Sequence, residues 1–286
     1  MKNLMKFGFS FLILCVLLLT SCSKEAPLQP QKAANDPIPL ANEEVELCFA
    51  NPNNPYEYVG EQHNLGLDRI AETPGFENLS IEEAHAIAAE TVEANLGVDE
   101  GVPFQDLTDA YEFTNSEEPF LEVAQSLASD GTISDEAYSK LLEMNQILDD
   151  SEDPVSFGEK MIDFENEVMN NGSFTAEELE IILGAASIAR HSTCYWMTAA
   201  LNADNPWNVH LGLDSNGLNG GADARWGWWK KVKRFFKRVI KWVKADISGY
   251  KYASKVIGSF WNGEKWVQVV ASVVVGVIYS WKKIFG

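Results

Sequence analysis

Residues 175–201 read TAEELEIILGAASIARHSTCYWMTAAL, and this stretch predicts the longest helix of an acidic domain. Thr175 followed by Glu178 is the pattern of a capping box at a helix start. Working outward from it, helical periodicity recurs at residues 80–97, 120–128, 135–148 and 155–169, while strand signals are poor. The sequence therefore predicts an all-α, bundle-like fold for residues 46–204.

Residues 80–97 show how such a helix is delimited by the sequence. Ser80 followed by Glu83 predicts a second capping box, and Gly97 predicts the stop. Apolar residues between them recur at three- and four-residue steps. We therefore expect a helix between Ser80 and Gly97.

The charge of the chain changes sign along its length. Residues 23–221 hold six basic and 39 acidic side chains, whereas residues 222–286 hold 14 basic and three acidic ones. The first part thus carries a net charge of −33 and the last part +11, within a total of −20. A basic segment of this kind favours anionic surfaces such as lipid headgroups, nucleic acid or the chain's own acidic domain. The overall acidity and the exported location described next argue against a nucleic-acid partner.

The first 22 residues predict export and lipidation. Lys2 and Lys6 precede a short apolar run, and residues 19–22 (LTSC) match the lipobox of a lipidated cysteine. We expect a lipoprotein signal peptide over residues 1–21, acyl chains on Cys22, and a flexible tether rich in Pro, Gln and Ala over residues 22–45. Ser23 after the lipidated cysteine favours an outer-membrane lipoprotein of the cell envelope.

Two segments carry a family resemblance. Residues 54–68 contain N-P-Y-x-Y-V-G-x-x-H-N-x-G-L-D, and residues 189–196 contain A-R-x-S-x-x-Y-W. In both, the chain resembles a group of lipoproteins from Bacteroidota. The resemblance covers the acidic domain and implies an envelope location, but it implies no activity and no ligand.

Candidate catalytic residues are few. His63, Asn64 and Asp68 are clustered, and His191 lies three residues before Cys194, so a Cys–His nucleophile pair is conceivable. Local packing is the more common reason for that spacing, and the usual hydrolase and nucleotide-binding motifs are absent from the sequence. We therefore expect no catalytic residue, no cofactor and a non-enzymatic protein.

Cysteine and metal chemistry are equally sparse in the sequence. Cys48 and Cys194 are the only cysteines left once the signal peptide and the lipidated residue are set aside, so a disulfide between them is plausible and stays open. Residues 130–134 and 171–175 resemble half of an EF-hand loop but lack acidic ligands that calcium needs. We interpret both as capped helix–turn–helix connections and expect no metal site.

Residues 225–286 predict a cationic, membrane-active tail behind a Gly- and Asn-rich linker at residues 205–224. Residues 226–244 have the pattern of an amphipathic helix, which resembles cationic antimicrobial peptides of the cecropin kind. The predicted membrane-binding residues are aromatic or basic: Trp228, Trp229, Lys230, Lys231, Lys233, Arg234, Phe235, Phe236, Lys237, Arg238, Lys241, Trp242, Lys244, Trp266 and Trp281.

The apolar stretch at residues 266–281 allows two structures. As a helix it would be slightly shorter than a bilayer core. Its small residues at every fourth position (Ser272, Gly276 and Ser280) are typical of close helix contacts in lipid. Its β-branched residues could also form a buried strand.

Two functions fit these patterns. The first expectation is a lipid-anchored envelope protein whose tail binds or permeabilises anionic membranes, as in a masked antimicrobial or bacteriocin-like precursor. The alternative is an adhesion or scaffold lipoprotein whose tail docks on its own acidic domain or on the membrane. Expected partners are anionic lipid headgroups and the acidic domain itself, with self-association of the tail as a further option.

Overall fold

The computed structural model describes residues 48–98, 103–112, 119–202, 204–211, 225–260 and 265–285. The predicted signal peptide, the lipidated Cys22 and the predicted tether lie outside the described residues. All described residues belong to one compact unit, Glu46–Gly286.

Helices and turns account for the described residues, with no β-strand among them, which confirms the all-α prediction. The helices are α1 (Glu57–Ala71), α2 (Ile81–Leu96), α3 (Thr108–Glu112), α4 (Pro119–Ser129), α5 (Asp135–Asp150), α6 (Pro154–Asn170), α7 (Ala176–Leu201), α8 (Arg225–Phe260) and α9 (Lys265–Phe285).

The helix ends predicted from capping residues are confirmed. Ser80 and Glu83 form a complete capping box at the start of α2, and Thr175 and Glu178 form another at α7. Gly97 ends α2 with a φ of 68°, in the left-handed region that glycine adopts most easily. These ends depend on neighbouring residues only, so the sequence contains the signal.

The centre of the core is formed by α7 and α9. Every residue from Ile181 to Arg190 of α7 and from Val269 to Trp281 of α9 is buried. α9 packs against α8, α2 and α1, while α7 packs against α1, α8 and α6. Because α7 is covered on all sides, its middle shows no one-sided apolar stripe.

The C-terminal part of the chain is packed differently from the prediction. α8 and α9 form an antiparallel hairpin that packs against the acidic helices, within the same compact unit. The structure therefore does not separate residues 225–286 from residues 46–204. The physical reason is that α9 fills the centre of the core, which the acidic helices alone leave open.

The structure also tests two further predictions for this region. Residues 265–285 are helical, so the strand alternative is wrong. In the predicted linker, Trp207 and Leu211 are buried in the core, so residues 204–211 belong to the packed domain. The remainder of the predicted linker, residues 212–224, lies outside the described residues.

Candidate functional site

The clearest candidate for a binding surface is the basic face of α8. Exposed basic side chains follow one another at helical spacing, and no acidic residue occurs between Arg225 and Ala245. This spacing places them on one side of the helix. We define the basic face by its exposed residues, Lys230, Lys231, Arg234, Lys237, Arg238 and Lys241.

The opposite side of α8 is apolar and buried. Phe235, Phe236 and Trp242 are between 0 and 8 % exposed, and the Trp281 side chain of α9 is also buried. These four predicted membrane-binding aromatics therefore face the core in this structure. Trp242 packs edge-on against Trp196 of α7. The side chains of Trp228, Trp229 and Trp266 lie outside the described residues.

At its rim, the basic face contacts the end of α5 and the short segment that follows it. Lys233 Nζ lies 2.6 Å from a carboxylate oxygen of Glu152, and Lys244 Nζ lies 2.7 Å from one of Asp149. The ammonium of Lys237 donates to the backbone carbonyl of Asp149 at 2.7 Å. Exposed pairs of this kind stabilise a fold little, so burial of the apolar side holds α8 in place and the pairs orient it.

A buried polar cluster lies where α8 crosses α9. The Ser192 hydroxyl donates to Asp246 Oδ2 at 2.6 Å, and the Ser280 hydroxyl donates to the other carboxylate oxygen. His63 Nε2 lies 3.6 Å from Asp246 Oδ2, and both side chains are fully buried. Asp246 is the one acid in α8, and this isolation among bases is the signal that sequence reasoning missed.

The small residues of α9 let the two helices approach each other at this cluster. A Cβ atom added at Gly276 would lie 3.1 Å from the backbone oxygen of Asp246. Ser272 and Ser254 share a hydrogen bond of 2.9 Å between their hydroxyls. The predicted small-residue pattern thus makes a close helix contact, although the partner is α8 inside the protein.

Burial shifts the pKa values of the cluster in opposite directions. It raises the pKa of Asp246 to about 8, even though the two serine hydroxyls lower it. It lowers the pKa of His63 to about 4, against the opposing hydrogen bond to Asn64. Both groups are therefore neutral in the folded protein between these pH values.

We expect the free energy of unfolding to fall between pH 6.5 and pH 8 because of Asp246. In this range the folded carboxyl keeps a proton that the unfolded carboxyl, with its ordinary pKa of 3.8, has already lost. A raised carboxyl pKa gives stability at low pH that is lost as the pH rises. The loss from Asp246 over this interval is about 2 kcal/mol. His63 opposes it only slightly, because the unfolded histidine loses most of its proton just above its ordinary pKa of 6.5.

Urea unfolding of the wild type and of Asp246→Asn at both pH values measures this effect. The amide cannot titrate, so the variant should lack the decline that Asp246 causes. Parallel pH dependence of the two proteins would contradict the assignment.

The two segments of the family resemblance meet in a second polar network. The guanidinium of Arg190 donates to Glu57 Oε1 at 3.1 Å and to Glu165 Oε1 at 2.9 Å. Asn51 donates to Glu165 at 2.6 Å, and His191 Nε2 lies 2.9 Å from Glu57. This network joins α1, α6 and α7 to the segment before α1 and explains these polar residues structurally.

The structure also shows where the residues of the candidate nucleophile pair lie. Cys194 is joined to Cys48 in a disulfide with Cα atoms 5.0 Å apart, the outcome that the sequence left open. His191 pairs with Glu57. His63 lies in the Asp246 cluster, and Asn64 donates to the backbone carbonyl of His191 at 3.0 Å. The structure therefore does not bring these residues together as a catalytic pair.

The two loops that resemble EF-hands cap one another. Glu178 accepts hydrogen bonds from the backbone N–H groups of Ser134 and Thr175, at 2.7 and 2.8 Å. Glu136 accepts from the side chains of Asn171 and Ser173. These carboxylates hold the two loops together, and within the described ranges no cluster of His, Cys, Asp or Glu could hold a metal ion.

Among the described residues, one helix is long and apolar enough to cross a membrane. It is the segment Val267–Phe285 of α9, most of which is buried in the domain. The central helix of a packed core has the same character, so this finding alone does not assign a function. Comparison of the chain with protein-family models, curated proteins and solved structures finds no match.

Proposed function

We propose that this chain is a lipid-anchored, non-enzymatic protein of the cell envelope, located at the outer membrane, that binds anionic membrane surfaces through the basic face of α8. The observation that carries the proposal is the division of α8 into two sides. Its apolar side is buried in the core, while six bases remain exposed on the other side. The folded domain can thus offer its charge without unfolding.

The same division favours surface binding over permeabilisation. Each Lys or Arg near an anionic surface contributes roughly 1 kcal/mol of attraction. Insertion would instead require Phe235, Phe236 and Trp242 to leave the core, and the apolar surface that they cover on the other helices would become exposed to water. Binding uses groups that are already exposed, so it is the less costly event.

A second candidate function is release of the hairpin into a bilayer, as in a masked antimicrobial precursor. The observation that favours it is the length and apolarity of α9, which suit a membrane span. In that case the acidic helices would shield the hairpin until release. The two functions differ in whether the intact protein makes vesicles leak.

Flotation with phosphatidylglycerol and phosphatidylcholine vesicles tests the first function on the unlipidated chain, residues 23–286. We expect binding to the anionic vesicles alone, weaker at high salt, and no dye leakage. Arg234→Gln combined with Lys241→Gln should weaken binding roughly tenfold or more, because two surface charges are lost.

The matched control is Arg69→Gln combined with Lys283→Gln. It removes the same charge from exposed positions outside α8 and should bind like the wild type. Equal loss in both double variants would contradict a specific basic face. Leakage caused by the intact wild type would favour release of the hairpin instead.

A further inference from the structure

The segment that leads to the lipid anchor enters the domain at the first turns of α6. Phe49 packs directly against Gly158, where no room is left for a Cβ atom. The neighbouring Cys48 is fixed to α7 by its disulfide with Cys194. The entry point of the chain is therefore held in place on both sides.

The same turns of α6 lie beside α8. Phe157, next to Gly158 in the sequence, has its ring 6.1 Å from that of Phe236, centroid to centroid. Glu152, just before α6, pairs with Lys233 at the rim of the basic face. The start of α6 thus contacts both the entry point and α8.

The length of chain before the entry point limits how far the domain can move from the anchor. Residues 23–47 reach at most about 85 Å when fully extended. The anchored domain is therefore confined near one bilayer. The acidic surface of the domain, for example Glu82, Glu83 and Glu90 of α2, is repelled by an anionic surface.

We propose that the basic face of α8 docks on the anionic headgroups of the same bilayer that holds the acyl chains of Cys22. This inference rests on the function proposed above and adds which bilayer the basic face binds. The lipid and the basic face form two attachments to one membrane, and the domain has a fixed orientation. Confinement by the anchor favours the second contact, because the lipids are present at high effective concentration.

Amine labelling of the lipidated mature protein in vesicles tests this orientation. A water-soluble acetylating reagent reports the accessibility of Lys237 and Lys241 in the basic face, with Lys283 of α9 as the internal reference. In vesicles of phosphatidylglycerol and phosphatidylcholine, we expect Lys237 and Lys241 to react about tenfold more slowly than in pure phosphatidylcholine vesicles. Lys283 should react at the same rate in both.

Addition of a second population of anionic vesicles distinguishes failure of the shared-bilayer proposal from failure of the proposed function. If the basic face occupies its own bilayer, the second population should not cluster with the first in light scattering. Clustering, with Lys237 and Lys241 protected only after the addition, would overturn the shared bilayer and keep anionic lipid binding. Unchanged labelling of both lysines under all conditions, without clustering, would overturn the proposed function itself.

Discussion

A chain that ends at Gly221 is expected to lose cooperative folding, because α8 and α9 supply the middle of the core. Without them, α1, α2 and α7 would each expose an apolar surface that packs on the hairpin in the intact protein. Full burial of a Val or Ile side chain contributes about 1.5–3 kcal/mol, and a whole domain is stable by only about 5–15 kcal/mol. α9 contributes many such side chains, and the following valines and isoleucine are at most 1 % exposed: Val269, Val270, Val273, Val274, Val275, Val277 and Ile278.

Calorimetry and binding of a hydrophobic dye measure this effect on residues 46–221 and residues 46–286. The longer chain should unfold in one transition, whereas the shorter one should show none and should bind the dye. Both chains lack the first 45 residues, so the longer chain controls for their removal. A cooperative transition of residues 46–221 near that of the longer chain would show that the acidic helices fold alone, as the sequence predicted.

Local signals explain why the acidic helices could be predicted. The starts and ends of α2, α4, α5, α6 and α7 fall within two residues of the expected positions. Ser, Thr and Asp caps act over three residues, so their effect is readable without the fold. α1 has no side-chain cap at its start, so the sequence carries no comparable local signal for it.

The environment of α8 could not be predicted by the same means. An apolar side of Phe, Trp and Val residues suits a membrane interface and a protein core equally well. The apolar side of α8 packs in the core only if the rest of the chain offers an apolar surface of matching shape. That surface comes from helices far away in the sequence. Phe157 of α6, which lies beside Phe236, is one such partner.

The polar residues around residues 54–68 and 189–196 raise the same difficulty. Arg190 is separated by 133 positions from Glu57 and by 25 from Glu165. Nothing in the local sequence marks these three as partners. Only the packing of α1 and α6 against α7 brings the charges together, so the sequence suggested polar clusters without their pairing.

Replacement of Arg190 by Met is expected to destabilise the protein by about 3–5 kcal/mol, because it leaves buried carboxylates without their cation. Glu165 is fully buried and Glu57 is 14 % exposed. Burial raises the pKa of Glu165, against the attraction of Arg190. Burial also acts to raise the pKa of Glu57, but hydrogen bonds from His191 and Arg190 outweigh it and lower that pKa to about 2.

The pH dependence of the variant gives a second readout. Without Arg190, the folded-state pKa of both carboxyls rises, and a carboxyl whose pKa lies above its unfolded value costs stability at higher pH. The destabilisation measured at pH 7 should therefore shrink as the pH falls toward 4.5, the ordinary value for Glu. Adding Glu165→Gln to the Met variant should recover part of the loss at pH 7, because one unpaired charge is removed.

Arg69→Met is the matched control, since it makes the same chemical change at the surface. Arg69 pairs with Glu72 three residues on, and their side chains are 60 and 67 % exposed. An exposed pair of this kind contributes about 0–1 kcal/mol. Urea unfolding of both single variants at pH 7 compares the two sites, and losses of similar size would contradict a special role for the buried network. A large loss at Arg190 alone would instead show that the buried network holds Phe49 and Asn51 against α6 and α7.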